Sequence, residues 1–482
     1  MNGLMDAMKN ADKGRENEEM KREDEKEEMI EKVTEKMIDK ILEEFQVGRK
    51  NGFLGDELPL KRLREENHEE WEKVMDQLSV LLHTEKKILY QKIENLPDFK
   101  VEELIERADK REMRRAFLVL SFLSHAYVFA DSSFIPLSSY AHPTSTCPPS
   151  YTPQQTQTFP QKLPAVLAKS WVKLASHLQI KPILTHFSLV ICNWGLFDER
   201  ESATLPNLFC NALFLGGIDE AWFYLVPMEM EAAGGRAIRE ILSTHISLRT
   251  NSFLLSSNSS SQQVQVVKDC LRVVREVIEE LTFLLKRMRE RCDPHCFYKR
   301  VRPFLSGWKN NEKFPNGLVY EGCEGETAQF FHGGSAAQSP LIQTLDAFLG
   351  VSHKNQVDDE NFKHDTPNFL MEMREYMLGK HKRFIEFVSE GPSVRDFVSS
   401  QTNEELLELY NGCVKAMSGF RSYHIGIVQS YILSQTPNSS SLHNEDQNEV
   451  RGTGGSKLIP LLKQCRKETD DVQIIAKEEG NK

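Results

Sequence analysis

Between Thr402 and Gln435 apolar side chains return every three or four positions. Tyr410, Cys413, Met417, Phe420, Ile427 and Tyr431 fall on one stripe, and His424 stands in line with them. That period is one face of an α-helix. Thr402 with Glu405 three residues on reads as a capping box that opens the helix, and Pro437 closes it near Gln435. The same period predicts helices over 66–96, 101–129, 163–177 and 264–290, and from Pro294 towards Trp308. It predicts another before Gly350, built on Leu341, Leu345 and Phe348, and one over 368–389. Residues 181–193 are β-branched and predict a short strand.

Other stretches break the pattern. Residues 48–56 hold three glycines and read as a linker. Residues 132–164 are rich in Ser, Thr, Pro and Gln and predict a surface connection, and 435–455 is polar and glycine-rich, a candidate lid. The first 47 residues are dominated by Glu, Lys and Met, with disorder expected over the first twenty-five or so. Within them Ile30, Val33, Met37, Ile38, Ile41, Leu42 and Phe45 mark an amphipathic helix, which docks on the protein's own body or on a partner. The fold class is mainly α: a charged extension (1–47), a smaller, mostly helical domain (57–205) and a large all-helical domain (206–482).

Composition narrows the function. A chain of 482 residues buries a core large enough for two domains. The formal charge of −11 and the lack of a basic stripe disfavour nucleic acid, because phosphate neutralisation needs clustered Lys and Arg. Nine scattered cysteines read as reduced thiols in the cytoplasm. Met1 to Glu25 is charged and lacks the apolar run of a signal peptide, and runs such as 116–120 and 189–192 are too short to span a bilayer. The sequons at Asn258 and Asn438 are then expected to go unused.

Three places invite chemistry. A buried imidazole needs partners for its nitrogens, so His424 is either a core histidine bonded to a carbonyl or water, or a ligand to a metal or haem iron. Downstream, the glycines of Arg451-Gly452-Thr453-Gly454-Gly455-Ser456 make a flexible loop, but the segment lacks the rest of a nucleotide-binding Walker element. Cys292-Asp293-Pro294-His295-Cys296 has no second pair of ligands for zinc; Asp293 and Pro294 instead read as a helix start. Further on, Phe297 and Arg302 are five residues apart. On an α-helix that is about 500° of rotation, an offset of about 140°, which reads as a core Phe and a surface Arg, or as opposite walls of one pocket if the helix edge faces it.

Read together, Arg421-Ser422-Tyr423-His424, the loop at 451–456, Phe304-Leu305-Ser306-Gly307-Trp308 and Gly333-Gly334-Ser335-Ala336 resemble the indoleamine 2,3-dioxygenase family. The resemblance runs from about Arg114 to about Leu462. It implies a b-type haem in the large domain with His424 as proximal ligand, Arg421 supporting the haem, and Asp346 orienting the ligand through a hydrogen bond. It implies an apolar distal pocket walled by Phe223 and Phe297, with Tyr298 beside the latter. In the same reading Arg302 pairs with the substrate carboxylate, Ser335 and Ala336 lie close to the haem, and Thr453 and Gly454 close over the amino acid. Pro227 falls where some members carry a serine, so no hydroxyl is offered there. The implied reaction is dioxygenation of the indole C2=C3 bond of L-tryptophan or a related indoleamine to N-formylkynurenine, the first step of the kynurenine pathway towards NAD. It needs O2 and an electron donor but no protein general acid or base. The expected form is a cytoplasmic monomer without nucleic acid or membrane partners. The other reading of the same features is a haem-binding sensor that uses the N-terminal helix as a protein contact.

Overall fold

The computed structural model describes residues 28–64, 68–133, 159–250, 259–354, 368–436, 452–453 and 457–475. Helices dominate, as the hydrophobic pattern predicts. In chain order they are α1 (28–45), α2 (Glu69–Thr84), α3 (Lys86–Glu94), α4 (Val101–Arg107), α5 (Lys110–Phe129), α6 (Ala165–Leu178), α7 (Ile218–Thr250) and α8 (Ser259–Arg291). Then follow α9 (Pro294–Cys296), α10 (Pro340–Leu349), α11 (Phe369–Met373), α12 (Gly379–Ser389), α13 (Val394–Ser400), α14 (Glu404–Tyr431) and α15 (Leu458–Asp470). Short strands play a minor part: β4 (Leu318–Tyr320) takes β1 (Lys162–Leu163) in parallel and β5 (Ala328–Gln329) antiparallel, while β2 (Trp194–Leu196) pairs antiparallel with β3 (Leu208–Cys210). No helix among the described residues is long and apolar enough to cross a membrane.

The long helix α8 packs against both α7 and α14, and α15 lies on α14. On α8 the stripe of Val267, Cys270, Leu271, Val274, Val277, Ile278 and Leu281 is fully buried. Its opposite face carries Gln265, Asp269, Arg272 and Glu279, all bonded at the surface. α5 is apolar nearly all round and is buried along most of its length, as a central helix must be. Its His125 shows how this protein satisfies a core imidazole: Nδ1 lies 2.8 Å from the Phe304 carbonyl, and Nε2 accepts the Leu184 N–H at 3.1 Å.

Four expectations are corrected. Residues 48–56 are not a loose linker: the Asp56 carboxylate accepts the N–H groups of Arg49, Lys50 and Asn51, and Phe53 and Leu54 plug the core. Gly52 has φ +54 and lies against the backbone of Glu231 and Gly235, so glycine there serves a close approach and not flexibility. The strand expected within 181–193 is a π-helical turn over Phe187–Ile191, with β2 starting only afterwards. The single helix expected over 368–389 is broken into α11, a 3₁₀ turn (Arg374–Tyr376) and α12. The cap of α14 is Asn403, whose side chain accepts the Leu406 N–H at 3.0 Å, and not Thr402.

The second half of α1 docks on the protein itself. Ile38, Leu42 and Phe45 are buried, and Glu35 pairs with Arg239 of α7 at 2.7 Å. The expected connection over 134–158 and most of the candidate lid lie outside the described residues.

A buried ion pair joins α2 to α5: the Arg115 guanidinium donates to both oxygens of Glu72, at 2.9 and 2.5 Å, and Glu72 also accepts the Leu63 N–H. Glu72→Ala would leave a buried guanidinium without its counter-charge. The expected loss is about 3–5 kcal/mol of unfolding free energy, read as a lower urea midpoint.

Candidate functional site

On α14 the stripe expected from spacing is buried from Tyr410 through Cys413, Met417 and Phe420 to Ile427 and Tyr431. His424 lies on it and is only partly covered, one turn after Phe420, whose ring stacks at 6.5 Å. Among the described residues neither nitrogen of His424 has a hydrogen-bond partner, in contrast to His125. Burial, with the nearby Arg421 charge, pulls its pKa down to about 4. At neutral pH the ring is therefore uncharged and keeps a free nitrogen lone pair. These are the properties of a metal-ligating histidine, and the residue fits a haem iron.

An aromatic wall comes from α7 and the segment after α8. Asp293 caps α9 by accepting the Cys296 N–H, and Pro294 fills the first turn, as the spacing predicts. The chain then departs from the regular helix expected towards Trp308. Phe297–Val301 form a π-helical turn and Arg302–Leu305 a 3₁₀ turn. The Arg302 N–H bonds the Phe297 carbonyl, a five-residue closure in place of four. That widened turn brings Arg302 back over Phe297 and removes most of the 140° offset of an α-helix. Phe297 meets Phe223 of α7 at 4.4 Å between ring centroids, and Tyr431 of α14 at 5.9 Å. The Arg302 guanidinium packs over the Tyr298 ring at 5.2 Å, and burial lowers its pKa while leaving it a cation.

A third group sits beside this wall. Gly334 N–H bonds the Leu305 carbonyl, Gly333 N–H bonds the Thr453 carbonyl, and the Thr453 hydroxyl donates to the Gly334 carbonyl at 2.6 Å. Thr453 is thus clipped next to Ser335 and Ala336; Gly454 lies outside the described residues. Ser335 caps a 3₁₀ turn (Ala336–Gln338) by accepting the Ala337 N–H. The glycines have a reason of their own. A Cβ on Gly333 would come 2.2 Å from the Leu305 carbonyl oxygen, and one on Gly307 2.3 Å from the Gly333 nitrogen. They permit two backbones to touch, whatever lies beyond.

Asp346 departs from its expected role. Its carboxylate binds Arg421 at 2.5 and 2.6 Å and His353 at 3.1 Å, and forms no bond to His424. The correction is geometric: Arg421, one turn before His424, is nearer and fully charged, and it takes the carboxylate. His353 also meets Glu468 of α15 at 2.7 Å, so charges alternate along Glu468, His353, Asp346 and Arg421. The sequence reading missed His353 and Glu468, which no local spacing marks. Burial would raise the Asp346 carboxyl, but Arg421 and His353 hold it at about 2. Burial would lower His353, but bonds to Asp346, Cys465 and Glu468 push it up to about 11. His353, Cys465 and Glu468 place possible metal-ligand atoms within 4.8 Å of one another. A protonated imidazole engaged by carboxylates at both nitrogens has no lone pair to give an ion.

The chain of charges sets a pH window. His353 gains its partner on folding, so its contribution is full below pH 6.5 and fades as pH rises towards 11. Asp346 is depressed, so its contribution is full above pH 3.8 and fades towards 2. The stability difference between the wild type and His353→Gln is expected to be largest near pH 5. Above pH 6.5 it should shrink by roughly 1 kcal/mol per pH unit. Urea titrations at three pH values check this; a pH-independent difference would refute it.

The structure therefore brings Phe223, Phe297, Tyr298 and Arg302 together, and joins that wall to His424 through Tyr431 on the same helix. It sets Thr453 against Gly334, and fastens Arg421 to Asp346. Comparison with known proteins extends the resemblance well beyond the stretch from Arg114 to Leu462 that the motifs marked. The family profile described as indoleamine 2,3-dioxygenase matches residues 41–472. An indoleamine 2,3-dioxygenase of Saccharomyces cerevisiae is 32% identical, covering 91% of this chain and 95% of the relative. Human indoleamine 2,3-dioxygenase 2 is 31% identical over 89% of this chain and 94% of its own length. A 6-hydroxytryptophan 2,3-dioxygenase of Fusarium equiseti is 28% identical over 88% and 96%. The chain belongs to the indoleamine 2,3-dioxygenase family and is a dioxygenase of the oxidoreductase class.

Proposed function

We propose that this dioxygenase holds a haem b on His424 and opens the indole ring of L-tryptophan with O2 to give N-formylkynurenine. The observation that carries the reading is the uncharged His424 ring, without a hydrogen-bond partner among the described residues, on the helix whose Tyr431 abuts the Phe223–Phe297 wall. The haem, when bound and kept ferrous by an electron donor, supplies the iron that activates O2 for addition to the indole C2=C3 bond.

The protein's own residues bind, orient and exclude water. Phe223, Phe297 and Tyr298 give the indole an apolar, aromatic slot. Arg302, held over Phe297 by the π turn, offers its planar fork to the substrate carboxylate. Thr453, already clipped to Gly334, brings the end of the loop to the same edge, with Gly454 beside it in sequence. Arg421 adds positive charge beside the cofactor, and Asp346 fixes its guanidinium. Ser335 and Ala336 line the approach. In this reading residues 57–205 form the small domain and 206–482 the catalytic one, and the protein works as a cytoplasmic monomer.

Two outcomes test the reading. His424→Ala is expected to lose the Soret band on haem reconstitution, and with it all N-formylkynurenine formation. Arg302→Leu is expected to keep haem loading while raising KM for L-tryptophan by about 10- to 100-fold, the worth of a charge-assisted pair. Spectra and steady-state kinetics of the two variants check both, and an unchanged KM removes Arg302 from the carboxylate role.

A further inference from the structure

Pro227 lies well inside α7, a helix that continues through it to Thr250. Proline carries no N–H. The bond that residue 227 of an α-helix donates to the carbonyl four residues back therefore does not exist here, and the pyrrolidine ring pushes that carbonyl off the helix axis. The residue four back is Phe223.

Residues four apart stand one above the other on a helix face. Phe223 and Pro227 are both partly exposed, while Tyr224, Leu225, Val226 and Met228 around them are buried in the core. The face they share is the one that meets Phe297 and, through it, Tyr431 of α14. The displaced carbonyl thus belongs to the wall of the candidate pocket. The side chains of Phe223, Pro227 and Phe297, which meet on this face, carry no hydrogen-bond acceptor, so an acceptor offered by these three residues comes from the main chain. A main-chain oxygen deprived of its helical donor beside an apolar slot is a site for a ligand N–H.

We propose that the Phe223 carbonyl oxygen is the hydrogen-bond acceptor for the ring N–H of the substrate. Pro227 then determines specificity: by withholding its own N–H it leaves the oxygen free to select an aromatic amino acid whose ring bears an N–H donor. The inference rests on the proposed tryptophan reading. It assigns to the backbone a selectivity that the side chains of Phe223, Pro227 and Phe297 cannot supply.

The experiment uses haem-loaded full-length protein and follows ligand-induced changes of the Soret band. The probes are L-tryptophan and its sulfur isostere, in which benzothiophene replaces indole and removes the N–H. Wild type is expected to bind L-tryptophan about fivefold more tightly than the isostere, the worth of one hydrogen bond. In Pro227→Ala the restored N–H occupies the Phe223 carbonyl, and the ratio is expected to fall to about one. Circular dichroism and the Soret maximum establish that the variant is folded and loaded. Equal affinities in wild type, or an undiminished preference in folded Pro227→Ala, overturn this inference alone. A wild type whose Soret band responds to neither probe overturns the tryptophan reading and this inference with it.

Discussion

Asp346 carries a negative charge in the interior of a helical protein, and four elements are arranged so that it is never without a counter-charge. Arg421 comes from α14, His353 from the segment after α10, and Glu468 from α15, which closes the chain of charges on the far side. Removing one member leaves another buried ion unmatched, so the elements hold their relative positions or lose several kcal/mol. Two of these elements matter for the site. α14 carries His424 one turn after Arg421, and α15 begins directly after the glycine-rich loop that contains Thr453. His424 and the start of α15 are thus fixed to one electrostatic core.

The candidate site is built from departures from regular secondary structure. The π turn at Phe297–Val301 swings Arg302 over Phe297, where a plain α-helix would send it towards another face. Pro227 interrupts the hydrogen-bond ladder of α7 without ending the helix. Gly307 and Gly333 let two backbones touch, and the same strip receives Thr453. Each departure costs local stability, and each is held by dense packing around it: Phe304, Leu305 and Trp308 are buried behind the π turn, and Tyr431 fixes the end of α14 by donating to the Cys292 carbonyl.

His125 and His424 show how the same residue type serves two ends. Both are drawn towards neutrality by burial. His125 spends both nitrogens on main-chain partners and so joins α5 to two distant segments. Among the described residues His424 has no hydrogen-bond partner at either nitrogen, on a helix whose other stripe positions are apolar, and that difference in partners marks it as the candidate ligand.

The sequence by itself determined the helices and their inward faces. The stripes of α8 and α14, the Asp293–Pro294 start of α9 and the second half of the α1 stripe follow from periodicity and local capping, because those depend on neighbours within a few residues; Ile30, Val33 and Met37 of the same α1 stripe stay exposed. It also singled out His424, since a polar residue on an apolar stripe is visible in one dimension. Which histidine keeps a free nitrogen was not legible, because the partners of His125 lie 59 and 179 residues away. Nor were the π turn, the buried plug at 48–56 and the coupling of Asp346 to His353 and Glu468. Those were decided by tertiary structure: an extra residue in a turn, or a charge in the interior, is tolerated only when side chains remote in sequence arrive to pack and pair with it.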